Sequence, residues 1–197
     1  MLAQVMGTLK MRRNFDSCEK QVGAAFAANE LAAIRKAFVV SAPNGFGKSS
    51  VVKLVIGMLH DRDPLSWRGS MSGKVYNPQR VVTTVSGDYS AVFDINGVMV
   101  AISSRGDAVK YVVQNFHFFG RVKAQVVVTA VRSANEDGSV STMEHAYSRI
   151  QAQCGFESQT VSLGKKPLVD DVAAEEVLAR KIVRMIDDAV ASILNQK

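Results

Sequence analysis

Residues 37–59 read AFVVSAPNGFGKSSVVKLVIGML, and this stretch decides the fold. It opens with AFVVSA, which is short, apolar and β-branched, as is typical of a strand buried on both faces. The next five residues, 43–47 (PNGFG), form a turn in which neither a helix nor a strand can persist. Residues 48–50 (KSS) then open VVKLVIGML, whose apolar residues lie on almost every face. We therefore expect a helix packed against a sheet.

A glycine-bearing turn between a strand and a helix is suited to binding phosphate. Successive backbone N–H groups, the first turn of the helix and a lysine can all point at one anionic pocket. Glycines let the main chain approach the phosphates, Lys48 would reach the β and γ phosphates, and the Ser49 hydroxyl would hold Mg2+, which prefers oxygen ligands. We term residues 42–50 the binding loop, and its candidate nucleotide-binding residues are Asn44, Gly45, Phe46, Gly47, Lys48, Ser49 and Ser50.

The spacing of the binding loop matches the pattern G-x-x-x-x-G-K-[ST] from Ala42 to Ser49 with one departure. Ala42 stands where the first glycine belongs. It adds only a methyl group, and Pro43 pre-sets φ for the turn, so we expect the loop to be retained. The alternative is a glycine-rich turn that binds nothing. The strand before it and the helix after it favour the phosphate-binding interpretation.

On these residues the sequence resembles the P-loop NTPase superfamily. The resemblance rests on APNGFGKSS between AFVV and VVKLVIGML, and the remainder of the chain is compatible in element order but specifies no subfamily. It implies a three-layer α/β/α sandwich with a mostly parallel sheet, a bound nucleoside triphosphate (ATP or GTP), and Mg2+. The hairpin described below would make part of this sheet antiparallel.

Length and composition favour a single domain over residues 1–197. The 24 lysines and arginines exceed the 18 acidic residues, and the net charge of +6 favours anionic partners without separating nucleotides from nucleic acid or acidic proteins. Cys18 and Cys154 lack C-x-x-C spacing, which favours ordinary reduced thiols. No apolar run approaches membrane-spanning length, and the first residues lack the order of a secretion signal. We expect a cytoplasmic protein without a membrane partner.

The segments on either side of the loop and its helix have distinct patterns. Residues 1–16 are interpreted as a possible mobile arm, and residues 17–36 as an amphipathic helix rich in alanine. Residues 61–79 contain two prolines, two glycines and several serines, which predicts a long loop or a lid over the site. Trp67 lies within this segment, and we expect it to anchor the loop by burial rather than to stack on a base.

Three strand-like segments come next: RVVTTVS, DYSAVFDI and VMVAISS. The pair Asn96-Gly97 separates the last two and predicts a tight antiparallel hairpin. Together with Asp94, the same residues also spell the D-x-x-G of GTPases. An aspartate at a hairpin tip would be poorly placed to act on a γ-phosphate, so the turn is the better interpretation.

Helices and strands then alternate to the end of the chain. The last helix is opened by Asp170-Asp171 and carries a stripe from Val172 to Ile193 at helical spacing, which predicts a cover for the sheet. His117 lies in an aromatic cluster and is expected to be packed rather than catalytic. The other predicted elements are a helix over 108–119, a strand over 124–131, a helix over 142–153, a strand over 158–163 and a basic turn with Lys165 and Lys166.

Charged residues follow the predicted central strands. Arg105 and Asp107 come after VMVAISS, and Arg132 comes after AQVVVTAV. Ligands bind at such carboxyl ends in open α/β sheets, although Asp107 could equally cap the next helix. Phosphoryl transfer depends mainly on positioning and on neutralising charge. The candidate catalytic residues are therefore Lys48, Arg105 and Arg132 as phosphate contacts, and Asp107 as a ligand to a Mg2+-bound water or as the acceptor base.

Three functions are compatible with these residues. The first is ATP-dependent phosphoryl transfer to a small acceptor, similar to nucleoside monophosphate or metabolite kinases. The second is an NTP-hydrolysing switch or weak ATPase that regulates a protein partner. The third is nucleic-acid binding, for which no helix-turn-helix, zinc or aromatic RNA-binding motif is found. No Asp-Glu pair ends a strand, and neither an LSGGQ-like segment nor N-K-x-D is present.

Overall fold

The structure is a computed structural model that describes residues 22, 26, 29–69, 88–133, 141–163 and 171–196. The expected arm over 1–16, the strand over 80–86, and Lys165 with Lys166 lie outside these residues. The described elements are β1 (Lys36–Ala42), α1 (Lys48–Arg62), a 3-10 turn (Pro64–Ser66), β2 (Trp67–Gly69), β3 (Ser90–Ile95), β4 (Val98–Ser103), α2 (Val109–Arg121), β5 (Val126–Arg132), α3 (Thr142–Cys154), β6 (Glu157–Ser162) and α4 (Val172–Leu194).

The described strands form one sheet in the order β2-β3-β4-β5-β1-β6. β1 pairs in parallel with β5 and β6, and β4 pairs in parallel with β5. β3 pairs antiparallel with both of its neighbours, β2 and β4. The predicted α/β class with a mostly parallel sheet and an antiparallel part is confirmed.

β1 lies inside the sheet, and its side chains explain why. Phe38 and Val40 pack on one face with α1 and α4, whereas Ala37 and Val39 pack on the other face with α2 and α3. Alternate residues of a strand point to opposite faces, so an apolar run is needed when both faces are covered. The prediction of a strand buried on both faces is confirmed, and helices cover both sides of the sheet.

The predicted hairpin joins β3 and β4. Asn96 and Gly97 both have positive φ, at 54° and 81°, which is the backbone of a type I′ turn. The Gly97 amide donates a hydrogen bond of 2.8 Å to Asp94 Oδ1. The turn precedes β4, which runs parallel to β5 and β1, so it lies at the edge of the sheet opposite the binding loop. Asp94 therefore stabilises a turn and is remote from the binding loop.

Two expectations around the central element are wrong in part. The helix predicted to end at residue 36 has given way to a turn over 29–33, and β1 already begins at Lys36. The described part of the predicted loop over 61–79 is ordered: α1 continues to Arg62, and Pro64 then opens the 3-10 turn that leads into β2. Proline suits the first position of such a turn because it lacks an N–H group. Trp67 packs against the core as expected.

The last helix, α4, begins as predicted and covers the sheet. Asp171 is its N-cap, and the Asp171 carboxylate accepts a hydrogen bond of 3.0 Å from the Ala174 amide. Ile182 and Ile186 are fully buried, whereas Val172 is 59% exposed and does not belong to the buried stripe. None of the helices in the described ranges combines the length and apolar content needed to cross a membrane.

Candidate functional site

The binding loop takes its shape from two glycines. Gly45 and Gly47 have φ of 75° and 87°, in the left-handed region that other residues adopt only with strain. A Cβ on Gly45 would meet nothing within 4 Å, so the dihedral angle and not the available space requires glycine there. Phe46, between them, has negative φ. Alternation of this kind is the backbone pattern of concave anion-binding nests.

The helix that follows, α1, begins without a cap. Gly47 is its N-cap residue, no side chain accepts from the first turn, and that turn contains no acidic residue. The first backbone bond runs from the Val51 amide to Gly47 O at 3.0 Å, and the amides of residues 47–50 donate no backbone hydrogen bond within the described residues. These N–H groups and the positive end of the helix dipole are therefore available to an anion.

Lys48 is the first residue of α1, and its side chain is only 6% exposed. The ammonium donates hydrogen bonds to Pro43 O at 2.8 Å and Ala42 O at 3.1 Å. Burial lowers the pKa of Lys48; Asp107 acts to raise it and Arg132 to lower it further. A cation at this end of a helix opposes the dipole, which favours acidic groups there. Such a conflict between a residue and its surroundings is typical of a functional site, and a bound anion would relieve it.

The end of β5 lies next to the binding loop. Ala42 pairs with Arg132 in the register of β1 and β5, and the Ser133 amide donates to Ala42 O at 3.0 Å. After β1 the chain enters α1 on one face of the sheet, and after β5 it enters α3 on the other face. Neighbouring strands whose connections diverge leave a crevice at their carboxyl ends, where α/β proteins bind ligands. Lys48, just after β1, and Arg132, the last residue of β5, lie at these carboxyl ends.

Asp107 lies close to Lys48. Its Oδ1 is 4.0 Å from Lys48 Nζ, and its side chain is 55% exposed. The prediction that Asp107 caps the next helix is wrong, because Ala108 is the N-cap of α2 and no side chain caps that helix. The carboxylate is thus not used by the helix, and the structure brings it together with two of the other candidate residues.

Arg105 has different partners. Its guanidinium lies over the ring of Tyr111, 4.0 Å from the centroid, and Nε is 3.5 Å from Asp88 Oδ2. The side chain is largely buried. Arg105 would have to leave both groups to contact a phosphate on Lys48. In this arrangement it ties α2 to the segment before β3.

Sequence reasoning missed a buried polar cluster beneath Asp107. Asn115 of α2 contacts Ser103 at the end of β4 and Thr129 in β5, and all three side chains are fully buried. The only signal in the sequence is an asparagine inside the otherwise apolar helical face of α2. Its partners come from two strands, so no local pattern could identify the cluster.

Other candidate groups lie away from the loop. His117 Nδ1 is 2.5 Å from Glu30 Oε1 and its ring lies near that of Phe26, as expected for a packed histidine. Cys154 is a free thiol whose pKa is raised by burial. A cavity of about 510 Å3 is found near the amino ends of β1 and β6, at the end of the sheet opposite Lys48. The described residues contain no group of three or more histidine, cysteine or acidic side chains that could hold a metal.

Comparison of the chain with protein-family models, with curated protein sequences and with solved structures gave no match. The residues of the site and their geometry are therefore the basis for assigning a function.

Proposed function

We propose that this protein has the P-loop NTPase fold, binds a nucleoside triphosphate (ATP or GTP) with Mg2+ at the binding loop, and transfers the terminal phosphoryl group to a small acceptor. The observation that carries the proposal is the placement of Lys48. A buried ammonium stands at the uncapped amino end of a helix, directly after two left-handed glycines. Backbone amides, helix dipole and ammonium together favour an extended anion such as a triphosphate.

Each residue has a role that follows from its position. The amides of residues 45–50 would cradle the phosphate oxygens, and Lys48 would move from the carbonyls of Ala42 and Pro43 to the β and γ phosphates. Arg132 would neutralise charge on the transferred group, as phosphoryl transfer requires.

The residues present also suit a hard cation. Ser49 lies in the first turn of α1, and the Asp107 carboxylate is 4.0 Å from the Lys48 ammonium. Hydroxyl and carboxylate oxygens are the ligands that Mg2+ prefers, with water completing its coordination. Ser49 would bind the ion directly and Asp107 would accept from one of its waters, or from the acceptor hydroxyl as a base. When bound, Mg2+ would neutralise charge on the β and γ phosphates.

A regulatory NTPase is the second candidate, favoured by the position of Arg105. This residue is engaged with Asp88 and Tyr111, so one expected phosphate clamp is not directed at the loop. Such a protein would hydrolyse ATP or GTP slowly, without an acceptor, and a protein partner would change the rate. Nucleic-acid binding stays a third prediction. It would be recognised by an affinity for nucleic acid that does not depend on ATP and falls steeply as the salt concentration rises.

Release of ADP distinguishes transfer from regulation. The protein is incubated with Mg2+ and ATP, with and without each member of a panel of nucleoside monophosphates and small hydroxylated metabolites. Transfer predicts ADP formation that depends on one acceptor, together with the matching phosphorylated product. Slow ADP formation that no acceptor changes would contradict transfer and support the regulatory NTPase.

A further inference from the structure

Asn115 links three parts of the molecule below the nucleotide site. Its Oδ1 accepts a hydrogen bond of 2.9 Å from Ser103 Oγ, at the end of β4. Its Nδ2 donates to Thr129 Oγ1 in β5 at 3.2 Å and to Arg105 O at 2.5 Å. Both donors and the acceptor of the amide are therefore used. Residue 115 is fully buried, so these bonds have no competition from water.

The segment held by Asn115 is fixed on its other side by β5. Gly106 O accepts a hydrogen bond of 3.2 Å from the Arg132 amide. A Cβ added to Gly106 would lie only 2.0 Å from Ala130 O, which shows how closely the two backbones approach. Two consecutive residues before Asp107 are thus anchored, Arg105 by α2 and Gly106 by β5.

Asp107 depends on this anchoring for its position. Within the described residues its carboxylate makes no hydrogen bond, and its one charged neighbour within 4.0 Å is Lys48. A half-exposed side chain without its own anchor lies where its backbone places it. A fully satisfied buried polar network is rigid in a way that an apolar contact is not, and it selects one arrangement of the backbone.

We propose that Asn115 is a positioning residue of the nucleotide site: its amide fixes residues 105–107 and so holds the Asp107 carboxylate beside the Lys48 ammonium. This inference rests on the proposed function, because the position of Asp107 matters only if a triphosphate with Mg2+ binds at the loop. Asn115 itself touches neither the binding loop nor any ligand.

Three variants separate positioning from ordinary stability. Asn115→Leu removes the amide while keeping a similar volume. Thr129→Val is the matched control, since it removes one bond of the same buried network without touching residues 105–107. Asp107→Asn shows how much affinity for Mg2+ and ATP is lost when the carboxylate itself is removed. Ser103→Ala serves as a milder variant should Asn115→Leu fail to fold, because it releases Asn115 Oδ1 and also removes the 3.4 Å bond that the Arg105 amide donates to Ser103 Oγ.

Nucleotide affinity is measured by calorimetry with Mg2+ and ATP, and with ATP plus a chelator. Loss of a water-mediated metal contact is expected to weaken Mg2+-dependent binding in Asp107→Asn about 10-fold, near the value of one charge-assisted hydrogen bond. Asn115→Leu should reproduce this loss, and the double variant should be no weaker than either single variant. Affinity for ATP without Mg2+ should change less than 2-fold, and Thr129→Val should bind like the wild type.

A nucleotide-free measurement tests the anchoring by itself. Hydrogen exchange of the Arg132 amide, which bonds to Gly106 O, should become about 10-fold faster in Asn115→Leu relative to amides in the middle of β5. Thr129→Val should not change this ratio. An unchanged ratio in Asn115→Leu and in Ser103→Ala, or equal effects of Thr129→Val and Asn115→Leu on affinity, would overturn the inference. If the wild type binds no triphosphate, the proposed function fails and the role of Asn115 in it fails too, whereas the exchange result still reports on the anchoring.

Discussion

Replacing Gly106 by alanine should destabilise the protein and weaken nucleotide binding together, because this glycine touches the backbone of a central strand. The added Cβ would lie 2.0 Å from Ala130 O, 2.6 Å from Ala130 C and 3.1 Å from Val131 Cα. All three neighbours are backbone atoms. β5 is held between β4 and β1 and cannot retreat, so the segment that contains residue 106 has to move instead.

The size of the effect follows from these distances. An ordinary contact begins at 3.4 Å, so the segment has to withdraw by about 1.4 Å to relieve the 2.0 Å contact that the added Cβ would make with Ala130 O. That movement breaks the bond from the Arg132 amide to Gly106 O, which costs about 1 kcal/mol. Forcing an extra carbon into a packed region costs roughly 1–3 kcal/mol in addition. We expect a loss of about 3 kcal/mol in the free energy of unfolding, or about 6–12 °C in Tm for a domain of this size.

Thermal and urea unfolding followed by circular dichroism measure this loss. Gly57→Ala is the matched control, since it makes the same substitution inside α1, where a Cβ would meet nothing within 4 Å. Alanine is the better helix former there, so this variant should gain roughly 0.5–1 kcal/mol. A Gly106→Ala protein as stable as the wild type would refute the close approach of the two backbones. A destabilised variant with unchanged affinity for Mg2+ and ATP would refute the link between residue 106 and Asp107.

Three further predictions concern charged and titrating groups. Lys48→Met should raise Tm by about 2–4 °C in the free protein, roughly 1 kcal/mol, because it removes a cation buried at the positive end of a helix; calorimetric scanning without nucleotide measures this, and a lower Tm would contradict it. Burial raises the pKa of Tyr147 to about 12, against an opposing hydrogen bond from Ser158. The folded state therefore keeps the phenol proton to higher pH than the unfolded chain does, and the stability that the neutral Tyr147 contributes is lost as pH rises above about 10. Tyr147→Phe should make the urea midpoint less dependent on pH in that range. The same pH dependence in both proteins would contradict this prediction. The hydrogen bond from Lys36 lowers the pKa of Glu157. The stability that the ionised Glu157 contributes to the folded state is therefore present at neutral pH and is lost as pH falls through the lowered pKa. Glu157→Gln should make the free energy of unfolding less sensitive to acid at low salt, and equal acid sensitivity of the two proteins would show that the pair contributes nothing.

The central strand, the loop and α1 could be predicted because their signals are local. An apolar run, glycines at two positions and a lysine in fixed spacing each restrict the backbone where they stand. The hairpin was predictable for the same reason, since Asn96 and Gly97 adopt positive φ readily.

The parts that the sequence did not reveal depend on contacts between distant residues. An alanine-rich run favours a helix up to residue 36, but the amides of Arg35 and Lys36 both donate to Gln125 O and draw the chain into the sheet. The short strand β2 exists only through its pairing with β3. In α2 the N-cap is Ala108 instead of Asp107, and this shift accompanies the packing of Gly106 on β5, which no local pattern contains.

The same division holds for the candidate site: its local features were predictable and its long-range contacts were not. Lys48 and the glycines of the binding loop follow from their spacing, and the carboxyl-edge position of Arg132 follows from the strand before it. That Asp107 faces Lys48, that Arg105 pairs with Asp88, and that Asn115 lies beneath them are results of the strand register and of helix packing.

The most direct test of the proposed phosphate-binding site compares two lysines on one helix. Lys48 is buried at the start of α1, whereas Lys53 is exposed five residues further on, with Nζ 5.6 Å from the ring centroid of Tyr89. Lys48→Met and Lys53→Met remove the same charge from α1. Calorimetric titration with ATP or GTP and Mg2+ should give equal affinities for the wild type and Lys53→Met, and an affinity about 10- to 100-fold weaker for Lys48→Met, the value of a charge-assisted contact to phosphate. No heat with the wild type, or equal binding by the two variants, would contradict a triphosphate site at the binding loop.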